Sequence, residues 1–129
     1  MNNIINNFQI HGNPVHCDRF GCGHINETYI VLTDSGLSYI LQKLSPVAFK
    51  NPVNLMNNVS LVCEFLSQNS SDSRECMHLV KTNDGGNFFV DSENLYWRMY
   101  DFVPDTVCLQ RPESAVDLYK TAFTFGKFQ

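Results

Sequence analysis

The sequence has no long apolar run, no excess of basic side chains and no export signal, and each absence excludes a class of protein. A transmembrane helix needs roughly 18 consecutive apolar residues, and the 129 residues contain no such run. Nine Lys and Arg against 13 Asp and Glu give a net charge of −4, which argues against a nucleic acid or an anionic membrane as a partner. The first residues lack the basic and apolar regions of a signal peptide, so we expect a cytoplasmic protein.

The cysteines follow no disulfide framework, because their number is odd and their spacing is irregular: Cys17, Cys22, Cys63, Cys76 and Cys108. Reduced thiols in a cytoplasm are the simplest interpretation. A small zinc site built from His16, Cys17, Cys22 and His24 is an alternative. The pattern disfavours it, because adjacent strand residues point to opposite faces and the usual second ligand pair is absent.

Two closely spaced glycines, Gly21 and Gly23, interrupt a stretch that otherwise has the pattern of β-strands. The β-branched and aromatic residues around them predict strands over 15–20 and 25–33, joined by a tight turn. A third strand over 37–44 would complete an antiparallel meander. The turn is either an ordinary hairpin or a loop whose backbone N–H groups meet the phosphate oxygens of a ligand, and the two glycines alone leave both open.

A helix is predicted after the meander, with Asn51 as N-cap and Pro52 at its first position. Its apolar stripe would consist of Leu55, Val59, Val62 and Leu66. The other predicted elements are a short helix over 2–10, strands over 77–82, 87–91 and 95–103, and a last helix that begins after Ser114. This order predicts an α+β fold, in which an antiparallel sheet of about five strands is covered on one face by one main helix.

Four motifs follow one another along the chain: Gly21-x-Gly23-His24-Ile25-Asn26-x-Thr28-Tyr29, Tyr39-Ile40-Leu41-Gln42-Lys43, Phe49-x-Asn51-Pro52-Val53-x-x-Met56 and Trp97-Arg98-Met99-Tyr100-Asp101-Phe102. Through them the chain resembles, over residues 8 to 128, the amino-terminal lobe of the aminoglycoside-phosphotransferase and choline-kinase-like family. Its nearest likeness is to the N-acetylhexosamine 1-kinase branch. The resemblance implies a bilobal, protein-kinase-like fold that uses ATP and Mg²⁺ to phosphorylate a hydroxyl of a small sugar.

The resemblance also implies an ATP site. The glycine loop would cover the phosphates, and the residues in or beside it are Gly21, Gly23, His24, Asn26 and Thr28. The strand that ends at Val103 would be the hinge, with Tyr100 as the gatekeeper. Adenine would bond the carbonyl of Asp101 and the amide of Val103.

The sequence departs from the family pattern at the cation that meets the α- and β-phosphates, which the family places on its third strand. In the register of the motif, Gln42 takes that position and Lys43 points to the opposite face, whereas a bulge would exchange them. Lys43 is favoured as the phosphate partner, because the chemistry needs charge. The acid partner on the helix is equally open, because Asn57 stands where glutamate is expected and Glu64 comes two turns later.

The family carries its catalytic Asp and its Mg²⁺ ligands in a second lobe, on a His-Gly-Asp-x-x-x-x-Asn loop and a later Asp. No such loop occurs in this sequence. We therefore expect residues 1–105 to be a nucleotide-binding lobe and 106–129 to be a linker and the truncated first helix of the second lobe. Such a chain would bind ATP without catalysing transfer, and the apolar side chains of its last helix would favour self-association.

A protein-interaction module with the same fold but no nucleotide function is the alternative. The departures at Gln42 and Asn57 favour it. Saturable ATP binding would distinguish the two interpretations.

Overall fold

A single antiparallel sheet organises the chain. The computed structural model describes residues 1–70, 72–107 and 109–128, so Ser71, Cys108 and Gln129 lie outside the described residues. The strands are β1 (Pro14–Arg19), β2 (Glu27–Thr33), β3 (Ser38–Lys43), β4 (Leu79–Val80), β5 (Phe89–Val90) and β6 (Tyr96–Asp101). The helices are α1 (Asn2–Ile5), α2 (Pro52–Asn69) and α3 (Ala115–Phe128), with a 3₁₀ turn at Ser73–Glu75. The prediction of an α+β fold with an antiparallel sheet is confirmed.

The last strand in the sequence lies inside the sheet, not at its edge. The strand order is β1-β2-β3-β6-β4, and β5 pairs with β6 beside β4. Residues of β6 therefore meet β3 on one side and both short strands on the other. Two of its side chains, Trp97 and Met99, are buried, as expected for a strand with neighbours on both edges.

The main core lies on the face of the sheet that the N-terminal segment covers. Its buried members are Ile5, Phe8, Val31, Tyr39, Leu41, Val80, Trp97 and Met99. The helix predicted over 2–10 ends at Ile5, because the chain beyond it bonds to the sheet region: Phe8 forms a bridge with Thr82, and the Gln9 amide donates to the Lys81 carbonyl at 2.9 Å. The N-terminal segment thus covers one face of the sheet and α2 lies on the other, whereas the sequence predicted cover on one face only.

The helix α2 lies against the opposite face and begins as predicted. Pro52 occupies its first turn, and the Asn51 side chain accepts a hydrogen bond from the Asn54 amide at 3.0 Å, which satisfies one of the otherwise unpaired N–H groups of that turn. Its inward residues include the fully buried Met56 and the half-buried Cys63. The predicted stripe is wrong at Val62, which is exposed.

The helix α3 begins as predicted but buries none of its side chains. Its N-cap is Ser114, whose hydroxyl accepts from the Asp117 amide at 3.2 Å. Its large apolar residues are all exposed: Val116, Leu118, Tyr119, Phe123, Phe125 and Phe128. Lys127 connects it to Glu75 at 2.8 Å. Self-association through this helix stays a prediction.

Within the described ranges, no helix combines the length and the hydropathy that crossing a membrane requires.

Candidate functional site

The strands β1 and β2, with the loop over residues 20–26 that joins them, form a hairpin, here called the glycine hairpin. A cleft of about 610 Å³ opens between this hairpin and the end of β6. Its volume lies in the usual range for small-molecule sites. The predicted ATP-site residues that line it are Gly21, Gly23, Thr28, Tyr100, Asp101 and Val103. The apolar part of its wall comes from Phe20, Ile40, Cys76, Met77 and Phe102. Two motifs nearly 80 positions apart thus form one concave surface.

The glycine hairpin is closed at its base and open at its tip. The Phe20 amide donates to the Thr28 carbonyl at 2.9 Å, and Gly21 has a φ of +75°, which side-chain-bearing residues rarely adopt. A Cβ added at Gly21 or Gly23 would meet nothing within 4 Å. The tip is therefore free for a ligand to approach the backbone closely. The Phe20 ring packs edge-on against Phe102, with centroids 5.8 Å apart, so the hairpin base contacts the segment after β6.

Backbone polar groups at the end of β6 alternate in direction. The Phe102 amide donates to Ser38 of β3 at 3.1 Å, whereas the Asp101 amide donates to His78, on the other side, at 3.0 Å. Continuation of this alternation past Asp101, where β6 ends, would direct the Asp101 carbonyl and the Val103 amide toward this second side, where Cys76 and Met77 line the cleft. Among the described residues, no backbone acceptor takes the Val103 N–H. A donor and an acceptor on one side suit the edge of a purine base.

Tyr100 and Ile40 form part of the floor of the cleft. They are cross-strand partners in the β3–β6 ladder, and both line the cavity. Burial raises the pKa of the Tyr100 phenol, an effect that the nearby Arg98 charge partly opposes. The phenol therefore stays neutral at physiological pH, and the floor presents apolar surface with one neutral hydroxyl.

A hydrogen-bonded row crosses the cleft face beside this floor. Thr28, Gln42 and Arg98 are direct partners on β2, β3 and β6. The Gln42 amide nitrogen donates to the Thr28 hydroxyl at 2.9 Å, and Gln42 Oε1 accepts from Arg98 Nε at 3.0 Å and Nη2 at 2.8 Å. The sequence motif around Trp97 contains Arg98 but predicts no role for it, although its spacing of two from Tyr100 indicates that both share a strand face.

Lys43 lies on the opposite face of the sheet. It forms an ion pair with Glu27, and its ammonium lies 6.0 Å from the centroid of the Trp97 ring. The strand β3 pairs with both neighbours in unbroken register, so the bulge that would exchange Lys43 and Gln42 is not formed. The acid that pairs with Lys43 is thus Glu27 of β2, whereas Asn57 and Glu64, the two positions considered on the helix, are exposed on α2.

The Lys43–Glu27 pair predicts a pH dependence of stability. The hydrogen bond from Lys43, with smaller contributions from Tyr29 and Arg19, holds the pKa of the Glu27 carboxyl below its ordinary value of 4.5. A carboxyl with a lowered pKa in the folded state stabilises above its unfolded pKa, and this contribution is lost as the pH falls through the folded pKa. Glu27→Gln should therefore have a lower free energy of unfolding than the wild type at pH 7. On acidification, the free energy of unfolding of the variant should fall less than that of the wild type.

Urea unfolding at pH 7 and pH 3 tests this expectation, with Glu64→Gln as the matched control on an exposed helix position. The carboxyl of Glu27 is partly exposed, so the effect should be small and should shrink in high salt. Identical acid dependence in Glu27→Gln and the wild type would contradict it.

Two further predicted site residues lie beside the cleft and do not line it. The Asn26 side-chain oxygen accepts from the Ser45 amide at 3.0 Å, which connects the end of the glycine loop to the chain after β3. His24 is exposed on the loop. Asn26 thus has a structural contact here, and neither residue is among those that line the cavity.

The residues of the zinc alternative are not assembled into a site. Cys17 packs against the core cluster, whereas the neighbouring His16 contacts Asp18 at 2.7 Å. In residues 1–70, 72–107 and 109–128, no three His, Cys, Asp or Glu side chains come together as metal ligands. The cysteines described there, Cys17, Cys22, Cys63 and Cys76, are free thiols.

The cleft wall also holds charged residues that the sequence reasoning missed. Arg74, in the 3₁₀ turn, donates to the Pro104 carbonyl at 3.1 Å, and Glu75 beside it pairs with Lys127. Both line the cavity. No sequence signal indicated them, because the turn reaches the cleft only through the packing of the chain between α2 and β4.

No protein-family model matches this chain. Membership of the phosphotransferase family therefore stays a prediction.

Proposed function

We propose that this chain is the ATP-binding lobe of a small-molecule phosphotransferase of protein-kinase-like fold. The observation that carries the proposal is the single cleft that the glycine hairpin and the hinge segment line together. An open glycine tip suits phosphates, and an apolar floor suits adenine beside the Val103 amide, for which the described residues offer no backbone acceptor. These are the two ends of one ligand, in the arrangement that the resemblance implies.

The proposal assigns catalysis to a second lobe. Transfer requires an Asp that orients the attacking hydroxyl and side chains that hold Mg²⁺, and the 129 residues contain no His-Gly-Asp-x-x-x-x-Asn motif. By itself the chain is expected to bind ATP and to leave sugars unphosphorylated. The acceptor, an N-acetylhexosamine at its anomeric hydroxyl, is proposed on the resemblance alone. A cytoplasmic location agrees with the free thiols of the described cysteines.

Calorimetric titration of the purified chain with ATP, with and without Mg²⁺, tests the proposal. We expect saturable one-site binding, and competition by adenosine, since the base site lies within this chain. Absence of saturable binding up to about 1 mM ATP, the upper end of the usual KM range, would contradict it. Phosphorylation of a sugar by this chain alone would contradict the assignment of catalysis to a second lobe.

An interaction module without nucleotide function is the second candidate. The observation that favours it is the Lys43–Glu27 pair, which holds the expected phosphate cation on the face away from the cleft. The same titration separates the candidates, because an interaction module should bind neither ATP nor adenosine.

A further inference from the structure

Among the residues that the structure describes, no acid forms an ion pair with the positively charged Arg98. Its guanidinium is half-buried between the sheet and α2, where Nη1 lies 4.0 Å from the sulfur of Met56. Its Nε and Nη2 groups both donate to one neutral acceptor, Gln42 Oε1. The ion pairs found in the described ranges do not include Arg98.

A half-buried guanidinium without a negatively charged partner lowers the stability of the folded protein, unless a bound anion pairs with it. Burial disfavours a charged group, and paired charges are the usual solution in proteins. Burial lowers the pKa of the Arg98 guanidinium from its ordinary value, whereas Tyr100 and Cys63 oppose the shift. An arginine stays charged at physiological pH even so. The planar guanidinium is also the group best suited to binding a phosphate.

Arg98 lies on the same face of the sheet as the cleft floor, one row of side chains away from it. Arg98 and Tyr100 lie two residues apart on β6, as do Gln42 and Ile40 on β3, and two strand residues span about 6.6 Å. Tyr100 and Ile40 line the cleft floor, so the row of Gln42 and Arg98 is the next one along the same face. Thr28 belongs to this row and also lines the cleft.

We propose that Arg98, oriented by Gln42, is the phosphate-binding cation of this site and takes the role that the sequence pattern favoured for Lys43. The proposal rests on the proposed function, since the phosphate is that of the nucleotide whose base occupies the cleft. Gln42 fixes the guanidinium through its side-chain oxygen and donates its amide nitrogen to the hydroxyl of Thr28, which lines the cleft. The anion thus meets an arginine from β6 and an amide from β3.

Two variants test the proposal from different sides. Arg98→Gln removes the charge, whereas Gln42→Glu keeps the guanidinium and supplies a carboxylate that neutralises it within the protein. We expect both to weaken binding of ATP and of inorganic tripolyphosphate about tenfold or more at fixed, moderate salt, because a charge-assisted hydrogen bond is lost. Adenosine should bind as it does to the wild type. Gln42→Glu should also raise the unfolding midpoint, because its carboxylate pairs with the guanidinium. The proposal therefore stays testable even if Arg98→Gln fails to fold.

Lys43→Gln tests the alternative that Lys43 is the phosphate-binding cation. Binding of tripolyphosphate and adenosine to the wild type tests the proposed function itself. Unchanged ATP affinity in Gln42→Glu and in a folded Arg98→Gln, or a loss in Lys43→Gln instead, would overturn the inference while the proposed function stands. Arg98-dependent tripolyphosphate binding without adenosine binding would support the anion site and overturn the proposed function. A wild-type chain that binds neither probe would overturn both.

Discussion

Leu41→Ala should lower the free energy of unfolding by about 3 kcal/mol. Leu41 is fully buried and is paired across the sheet with Met99 and Tyr29. Removal of its side chain leaves a cavity in the core cluster to which Leu41, Val31 and Met99 belong. A loss of this size is a large part of the roughly 5–15 kcal/mol that stabilises a typical domain.

Urea unfolding monitored by the fluorescence of Trp97 measures the loss. Leu61→Ala is the matched control, because Leu61 on α2 is 65% exposed, and it should change the free energy of unfolding by no more than about 0.5 kcal/mol. Equal losses in the two variants would contradict the placement of Leu41 in the core.

If the chain binds ATP as proposed, Val103→Pro should abolish most of the nucleotide affinity without unfolding the protein. The Val103 N–H has no backbone acceptor among the described residues, and Val103 is not among the residues with positive φ. Proline removes that N–H and so leaves an adenine nitrogen without its partner. An unsatisfied buried acceptor costs about 1–3 kcal/mol, which predicts about a tenfold or larger loss of affinity.

Adenosine and ATP should lose affinity equally in Val103→Pro, since both use the same amide. This distinguishes it from Arg98→Gln, in which only ligands with phosphates should be affected. Val103→Ala keeps the N–H and should bind both ligands nearly as well as the wild type. Wild-type affinity in a folded Val103→Pro would contradict the assignment of this segment as a hinge.

The sequence predicted well those elements that local backbone preferences control. Gly21 adopts a positive φ, although residues 20–26 form a seven-residue loop in place of the predicted tight turn. Asn51 and Pro52 begin α2 as an N-cap and a first-turn proline do. Each of these signals acts over a few neighbouring residues. For the same reason Ser114 begins α3 where expected.

The predictions that failed depended on contacts between distant residues. The N-terminal segment leaves its helix at Ile5 because its backbone bonds to Lys81 and Thr82, and no local pattern encodes that partner. Val62 is exposed although it fits the helical spacing, because α2 turns Met56 and Cys63 inward. Which of Lys43 and Gln42 faces the cleft side was left open by the sequence, because the answer depends on the register of three strands.

By itself, the sequence determined the α+β class, the glycine hairpin and the starts of the two long helices, because these follow from backbone preferences within a few residues. Only the tertiary structure decided which face of the sheet holds the cleft, that Lys43 pairs with Glu27, and that Arg98 lies beside Gln42, 56 positions away. Strand alternation separates two faces but does not say which one a helix or a segment will cover. Burial against distant parts of the chain makes that choice.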